Sequence, residues 1–522
     1  MSIKYIKGTD LHSALAEGIE DLSEYVSATL GPAGRNVLLK SKGQPAMITK
    51  DGVTIAKFMA VQGHFESVGA EVIKEVAALT NEAVGDGTTT SIVLAAALYK
   101  EAQKYLNSGI RPIHLKRGMD AACDQLVDIL EESSIPIASR EDIEHIAAIS
   151  ANGDKRIGQL ISEAIDKIGK DGAISVEDSR TNKTYLDVVE GFSFTAGYAS
   201  ESFVTDERKK HIKHEECLLF VTDRKLELEE MMPMLELVSR DNKPFVIIAE
   251  DFDKKFLSAL ILNAVRGTMK VVAIKAPKYG EERRNILADL ALSVGAKFIS
   301  REHGVKLREL KLEDLGRAKT IEVTKDKTTI AGGKCDYDLI EERIEYLKEE
   351  IREEDNITIC ERIQERITSL SSGVAVIRVG AYSQLEMTEK KHRIEDALEA
   401  VHAAQAGGIH GGGGIPLCRA GANLKPLEPM SESETFGFNI VKRASETPMR
   451  KITENADMSA DLIKEKILEM DDDTGYDFST GEAVNLIEAG IVDPVSVTTT
   501  ALRNAVSVVG ALISTNHAIV ED

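Results

Sequence analysis

The chain has 522 residues, too many for one compact core, so two to four domains are expected. A hydrophobic share of 43% and a charged share of 29% suit a soluble globular protein, and a net charge of −22 argues against nucleic acid or an anionic membrane as the main partner. Five scattered cysteines (Cys123, Cys217, Cys335, Cys360, Cys418) with no C-x-x-C pair argue against a disulfide framework or a zinc site and favour a reducing compartment.

The opening MSIKYIKGTD lacks the apolar stretch of a secretory signal, and no run approaches the length needed to span a bilayer. A cytoplasmic location is therefore expected. The first element reads as a helix, because Leu11, Leu15, Ile19, Leu22, Val26 and Leu30 form one apolar face, and Gly31-Pro32 should stop it. Two short extended runs follow, NVLLK and AMIT, with Lys50-Asp51-Gly52 after them. Helices are expected from about Ser67 to Leu130, broken at Val84–Thr90 and near Gly109–Pro112.

From about Ile135 the pattern turns mixed. Buried-strand candidates FVIIAE (Phe245–Glu250) and VVAIKA (Val271–Ala276) alternate with amphipathic helices, which suggests βαβ units. Between Asp336 and Leu370, the apolar residues Ile340, Ile344, Leu347 and Ile351, a break near Asp355-Asn356, and then Ile359, Ile363 and Ile367 fit two paired antiparallel helices. GVAVIRVGA (Gly373–Ala381) reads as a strand followed by a helix to about Ala406, and the chain then returns to apolar helices such as Val495–Leu512. The fold class is multidomain, α and α/β, with helical ends and an α/β middle, and one helical domain assembled from both termini.

Several segments carry chemistry and a plainer alternative together. TLGPAGRNV (Thr29–Val37) is either a helix end with a turn or a backbone surface for a ligand. In GDGTTT (Gly85–Thr90), Asp86 either caps the following helix or supplies a hard oxygen to Mg²⁺ beside phosphates held at that helix N-terminus. Asp51-Gly52 is a turn dipeptide, or Asp51 orients a water. Asp396 sits near an expected helix start, where the dipole favours a carboxylate without catalysis. IHGGGGIP (Ile409–Pro416) is a linker or a flat backbone against a base or ribose, and IVDP (Ile491–Pro494) leads into a helix or offers an apolar wall with a ribose-binding carboxylate.

Taken in order, TLGPAGRNV, TKDGVTIAK, GDGTTT, ISAN (Ile149–Asn152), VVEG, IIAEDF, IKAP (Ile274–Pro277), EDLG (Glu313–Gly316), IEDAL (Ile394–Leu398), GGGG and the Gly490–Pro494 segment run along essentially the whole chain. In this order the sequence resembles the group I, GroEL-type chaperonins. The resemblance implies an ATP-driven ring that encloses non-native protein clients. The chaperonin fold would comprise an equatorial domain (1–132 and 407–522), an intermediate hinge domain (133–189 and 374–406) and an α/β apical domain (190–373).

It further implies that Thr29, Leu30, Gly31, Pro32, Lys50, Gly87, Thr88, Thr89 and Thr90 hold the phosphates of ATP, and that Asp86 holds Mg²⁺. Asp51 and Asp396 would be the hydrolytic carboxylates, and Gly413, Ile491 and Asp493 would contact base and ribose. Clients would bind Tyr198, Phe203, Met232, Leu235, Leu257, Ile261 and Leu262, although by periodicity alone those helices read as burying an apolar stripe in a core, and only the resemblance reverses that. The expected partners are further copies of the chain, in a sevenfold ring, single or double, with room for a co-chaperonin lid.

Departures from the family pattern stand at five places. Ser202 replaces a usual tyrosine, and Asp477, Phe478 and Ser479 replace Asn-Ala-Ala in the adenine-side loop. His410-Gly411 alters the glycine hinge, and Ser459 stands near the acidic partner expected for the ring-to-ring arginine, Arg450. The chain ends at Ile519–Asp522 without a Gly-Gly-Met tail, so that tail's contribution at the ring floor is not expected.

Overall fold

In the computed structural model, which describes all residues except 1–2, 42–46, 138, 152, 169–172, 180, 207–209, 242, 302–305, 336, 354–356, 372, 427–428 and 522, the chain divides into two units. One comprises Met1–Glu163 with Val379–Asp522, and the other Ala164–Arg378. The break expected at Asp355-Asn356, Asn152 of the ISAN segment and the last residue of the chain lie outside the described residues.

The first unit is helical and takes in both termini. Helix Gly8–Ser27 buries Leu11, Leu15, Ile19, Leu22 and Val26, the face its spacing predicts. It stops before Leu30, because side chains take over its last carbonyls: Thr29 Oγ1 donates to Val26 O at 2.8 Å, and Asn455 Nδ2 donates to Ser27 O and Leu30 O, each at 2.9 Å. Helices Glu66–Val84, Thr88–Asn107, Pro112–Glu132 and Val495–Leu512 complete the core around it. At such fully buried positions a Leu→Ala change costs about 2–5 kcal/mol. Strand Ile3–Lys7 pairs antiparallel with His517–Glu521, joining the two chain ends.

Three local expectations change. Val495–Leu512 is long and apolar enough to cross a membrane by composition, contrary to the sequence reading, but Val495, Ala501, Leu502, Ala505, Val506 and Val509 are buried in the helical core. Asp51-Gly52 does not make a turn between strands. Asp51 is the N-cap of helix Gly52–Phe58, its carboxylate accepting from Thr54 N at 2.9 Å and from Val53 N at 3.4 Å, while Val53, Ile55 and Ala56 are buried. Asp396 is not at a helix start either. Its helix, Gln384–Gly407, is capped by Ser383, so Asp396 lies several turns in, beyond the reach of the N-terminal dipole.

The second unit is built on an eight-stranded sheet. In spatial order its strands are Val271–Lys275, Phe245–Ala249, Ile212–Val221, Gly316–Val323, Thr328–Gly333, Tyr185–Phe194, Gly373–Val379 and Ile174–Asp178. The first three are parallel and linked through helices Leu228–Asp241 and Lys254–Val265, which are the expected βαβ units. Phe245–Ala249 is buried at every residue, as a strand covered on both faces must be. Helices Tyr337–Glu353 and Ile357–Ser371 pack on each other. They are fixed to helix Gly280–Val294 by buried Asp289, which accepts from Arg343 Nε at 3.0 Å and from Arg366 Nε at 2.7 Å.

Candidate functional site

The first unit gathers the segments read as nucleotide-binding. Gly85 (φ +70°) closes helix Glu66–Val84, and Gly87 (φ +77°) opens helix Thr88–Asn107. Both lie in the left-handed region, where glycine alone is unstrained. Gly87, not Asp86, occupies the cap position, so Asp86 does not cap this helix as one sequence reading had it, and no side chain caps its first turn. The Asp86 carboxylate accepts instead from Gly87 N at 2.6 Å and from Ser150 Oγ at 3.3 Å. The N-terminus of a long helix, with Thr88, Thr89 and Thr90 in its first turn, thus faces a partly solvated loop.

Close approaches bring three further segments to this loop. A Cβ on Gly52 would lie 2.5 Å from Thr89 Oγ1, so the Asp51 cap presses on the first turn of helix Thr88–Asn107. A Cβ on Gly85 would lie 2.5 Å from Cβ and Cγ of Glu399, one turn beyond Asp396 on helix Gln384–Gly407. On that helix Arg393 and Glu389 also act on Lys50. Burial holds the Lys50 amine below its usual range, the Arg393 charge lowers it further, and Glu389 opposes both. The third approach is Gly87, whose Cβ would fall 2.6 Å from Val497 at the start of helix Val495–Leu512.

Next to this lies a second cluster. Strands Ile409–Gly411 and Val492–Pro494 pair antiparallel, with His410 opposite Asp493. The Gly413 N–H donates to the Asp493 carboxylate, but burial and the nearby negative Asp86 outweigh it and push the Asp493 pKa up to about 7. Two carboxylates thus lie close enough to repel, an arrangement that a cation or a hydroxyl donor would relieve. Leu30 and Ile491 pack against the buried set Ile452, Phe478, Ile415 and Met449. Gly31 (φ +81°) lies against Ile452, where a Cβ would come within 2.8 Å of its Cγ2. The structure therefore brings Thr29–Pro32, Lys50, Asp51, Asp86–Thr90, Gly413, Ile491, Asp493 and the helix of Asp396 into one unit.

One of the departures acquires a role, and so does Arg450. His410 is buried, its Nδ1–H donates to Gly411 O at 2.7 Å and its Nε2 accepts from Thr498 Oγ1 at 3.1 Å. Burial pushes its pKa down, so it is a neutral strut across the glycine segment. Arg450 pairs with Glu446 at 3.3 Å and Asp461 at 2.6 Å of its own chain.

The residues read as client-binding lie in the second unit and divide by exposure. Met232 on helix Leu228–Asp241 is 45% exposed and Leu262 on helix Lys254–Val265 is 48% exposed. Leu257, Ile261 and Tyr198 are half-buried and pack against the core. Phe203 and Leu235 are buried at 4% and 7%, so they support the face from beneath instead of forming it. Val265, which the sequence reading passed over, is the most exposed apolar side chain of its helix at 69%.

The sequence model of the TCP-1/cpn60 chaperonin family matches residues 22–522. The chain belongs to the TCP-1/cpn60 chaperonin family. Its fold is similar to the crystal structure of the chaperonin gp146 from the bacteriophage EL 2 (Pseudomonas aeruginosa), determined in the presence of ATP-BeFx. The TM-score is 0.67 at 23% identity, over 99% of each chain. This GroEL-type chaperonin subunit is an ATP-dependent chaperone: it hydrolyses ATP and assists protein folding.

The chaperonin site also uses residues that sequence reasoning did not single out. Ser150 supports Asp86, and Asn455 fixes the Thr29–Leu30 turn from far along the chain. Glu399 braces Gly85. Ser150 lies within the ISAN segment, a usable signal, whereas nothing local marks Asn455 or Glu399.

Proposed function

We propose that ATP lies with its phosphates at the first turn of helix Thr88–Asn107, between Gly87, Thr88, Thr89 and Thr90 on one side and Thr29, Leu30, Gly31, Pro32 and Lys50 on the other. The observation that carries this reading is the convergence of the Asp51 cap, the Asp86 loop and the Asp396 helix on that uncapped helix end. Backbone N–H groups and the helix dipole favour a phosphate there, and Lys50, partly desolvated, adds charge.

Asp86 would hold Mg²⁺. Among the described residues no group of three or more His, Cys, Asp or Glu side chains forms a metal cage. A cation at Asp86 would therefore take most of its ligands from phosphate and water, the habit of Mg²⁺. The ion would neutralise charge on the phosphates. Burial, and after it the nearby Asp86 charge, raises the Asp493 pKa, and a cation at Asp86 would relieve the second of these.

Asp51 and Asp396 would orient and deprotonate the attacking water. Phosphoryl transfer asks little covalent chemistry of a protein, so positioning is their main contribution. Asp51 is held by its own cap bonds, and Asp396 by a continuous helix. Gly413, Ile491 and Asp493 would take the base and ribose.

Clients would bind the apolar face of Met232, Leu257, Ile261, Leu262 and Val265, with Tyr198 at its side and Phe203 and Leu235 beneath. The subunits would form a sevenfold ring in the cytoplasm, and a co-chaperonin lid is compatible with it. Arg450, engaged within its own chain, supports a ring that does not depend on this residue for stacking on a second one.

The test is nucleotide binding by the full chain and by Asp86→Ala, titrated with and without Mg²⁺. The wild type should gain affinity with Mg²⁺ and D86A should not. An equal Mg²⁺ effect in both would remove Asp86 from the metal.

A further inference from the structure

His410 is a buried ionisable group to which neither nucleotide binding nor hydrolysis assigns a task. It lies in strand Ile409–Gly411, opposite Asp493 of strand Val492–Pro494, and is 4% exposed. Burying an imidazole costs its hydration, and an aliphatic side chain would fill the same place without that loss. Both ring nitrogens find partners instead. Gly411 O can only accept, so the 2.7 Å contact to Nδ1 fixes the proton there, and Nε2 is left to accept from Thr498 Oγ1 at 3.1 Å.

One partner leads to the ribose side of the site and the other to its phosphate loop. From Gly411 the chain passes through Gly412, whose N–H donates to Ile491 O at 2.8 Å, to Gly413, whose N–H serves the Asp493 carboxylate. Thr498, 9% exposed, stands in the first turn of helix Val495–Leu512. Its neighbour Val497 is the side chain that meets Gly87, where a Cβ would lie 2.6 Å from Val497 Cγ1. The start of this helix is also held by Val495 N, which donates to Gly408 O at 3.1 Å, and by Ser496 Oγ, which donates to Ala403 O at 3.0 Å. Both of those bonds precede Val497 in the chain. The bond from Thr498 to His410 follows it, so Val497 is fixed from either side.

We infer that His410 is a positioning residue of the ATPase reaction: through Thr498 it holds Val497 against Gly87, and through Gly411 it sets the turn to Gly413, so that the phosphate loop and the ribose side keep one fixed spacing. The inference rests on the nucleotide reading of the site given above. His410 acts through helix Val495–Leu512 on the loop that opens helix Thr88–Asn107, and needs no contact with ATP. Hydrolysis demands closer alignment of the phosphates than binding does, so a loosened spacing shows in the rate before it shows in affinity.

Single-turnover hydrolysis of Mg²⁺–ATP by the full chain, with protein in excess, tests this beside steady-state KM. The first-order constant does not depend on the fraction of protein that is folded, so a merely structural defect lowers the amplitude and leaves the constant alone. Thr498→Val keeps the volume and removes the hydroxyl. It should slow the constant about tenfold, the size of one hydrogen bond, with KM within about threefold of wild type. Thr498→Ser restores the hydroxyl and should restore the rate. His410→Asn keeps a donor for Gly411 O but is too short for Thr498, so it should match Thr498→Val, and the double variant should be no slower than either. Wild-type constants in both Thr498→Val and His410→Asn, a Thr498→Ser as slow as Thr498→Val, or losses that multiply in the double variant would overturn the proposal. Gly87→Val, which strains the loop itself at φ +77°, separates the two readings. If Gly87→Val also hydrolyses ATP at the wild-type rate, the phosphate reading of the loop fails; if it is slow while Thr498→Val is not, only the role of His410 fails.

Discussion

The two units of this chaperonin subunit differ in what they bring together and in what they leave in solvent. In the first, Gly52, Gly85, Gly87 and Gly31 each lie where a Cβ would meet a neighbour within 2.8 Å, so polar segments from distant parts of the chain close on one loop. In the second, a buried parallel edge of the sheet carries two helices whose outer residues, Met232, Leu262 and Val265, stay in solvent. A site for one small polar ligand demands fixed close approaches. A surface for many unlike chains demands exposed apolar area on a rigid support.

The difference can be broken most sharply at Gly85. Gly85→Val puts a branched side chain at φ +70° and into Glu399, and should lower ATP turnover by about 10²-fold or more, since misplacement of about 1 Å suffices for that. Steady-state phosphate release checks it, and wild-type turnover would mean that the loop and the Gln384–Gly407 helix need not meet. The next effect is on the second unit's support. Phe256, fully buried under the outward residues of its helix, should cost about 3–5 kcal/mol when changed to alanine, read by denaturant unfolding of the full chain. On the same helix, Leu262→Ser with Val265→Ser should stay within about 0.5 kcal/mol in stability, because both side chains are exposed. Capture of a denatured client should nonetheless fall several-fold, as expected for lost apolar contact area. Full capture by this pair would place the client surface elsewhere.

The smallest effect is a proton. With its pKa pushed up to about 7, Asp493 is partly protonated at neutral pH in the nucleotide-free protein. A carboxyl whose folded pKa lies above its unfolded value favours folding at low pH, and that contribution is lost as pH rises from the ordinary carboxylate range through about 7. Asp493→Asn should therefore flatten the decline in Tm over this window. Mg²⁺–nucleotide binding at pH 7 should also release a fraction of a proton, roughly half at most for a group titrating there. Calorimetry in buffers of different ionisation enthalpy measures it, and Asp493→Asn should abolish it.

Much of this was legible in the sequence. The 3.6-residue spacing of Leu11 to Val26 and the buried run FVIIA fixed their elements, since periodicity reports which face is covered. The Asp51 cap was missed because Asp-Gly between apolar runs signals a turn as strongly as a helix start. Asp396 was misplaced toward a helix start because Ser383, the true cap, lies well upstream of the recognisable IEDAL. Phe203 and Leu235 show the other limit. An apolar residue on an amphipathic helix or loop carries no mark of whether it looks inward or out, and only the packed unit decides. Arg419 and Asn455 act on backbone carbonyls many residues away, which no local pattern encodes.

The most direct measurement is single-turnover ATP hydrolysis by Asp396→Ala beside its ADP affinity. If this carboxylate works on the phosphates at helix Thr88–Asn107, the rate falls by about 10²-fold or more while ADP binds within a few-fold of wild type. A wild-type rate, or a loss of rate matched by an equal loss of ADP binding, would contradict the account.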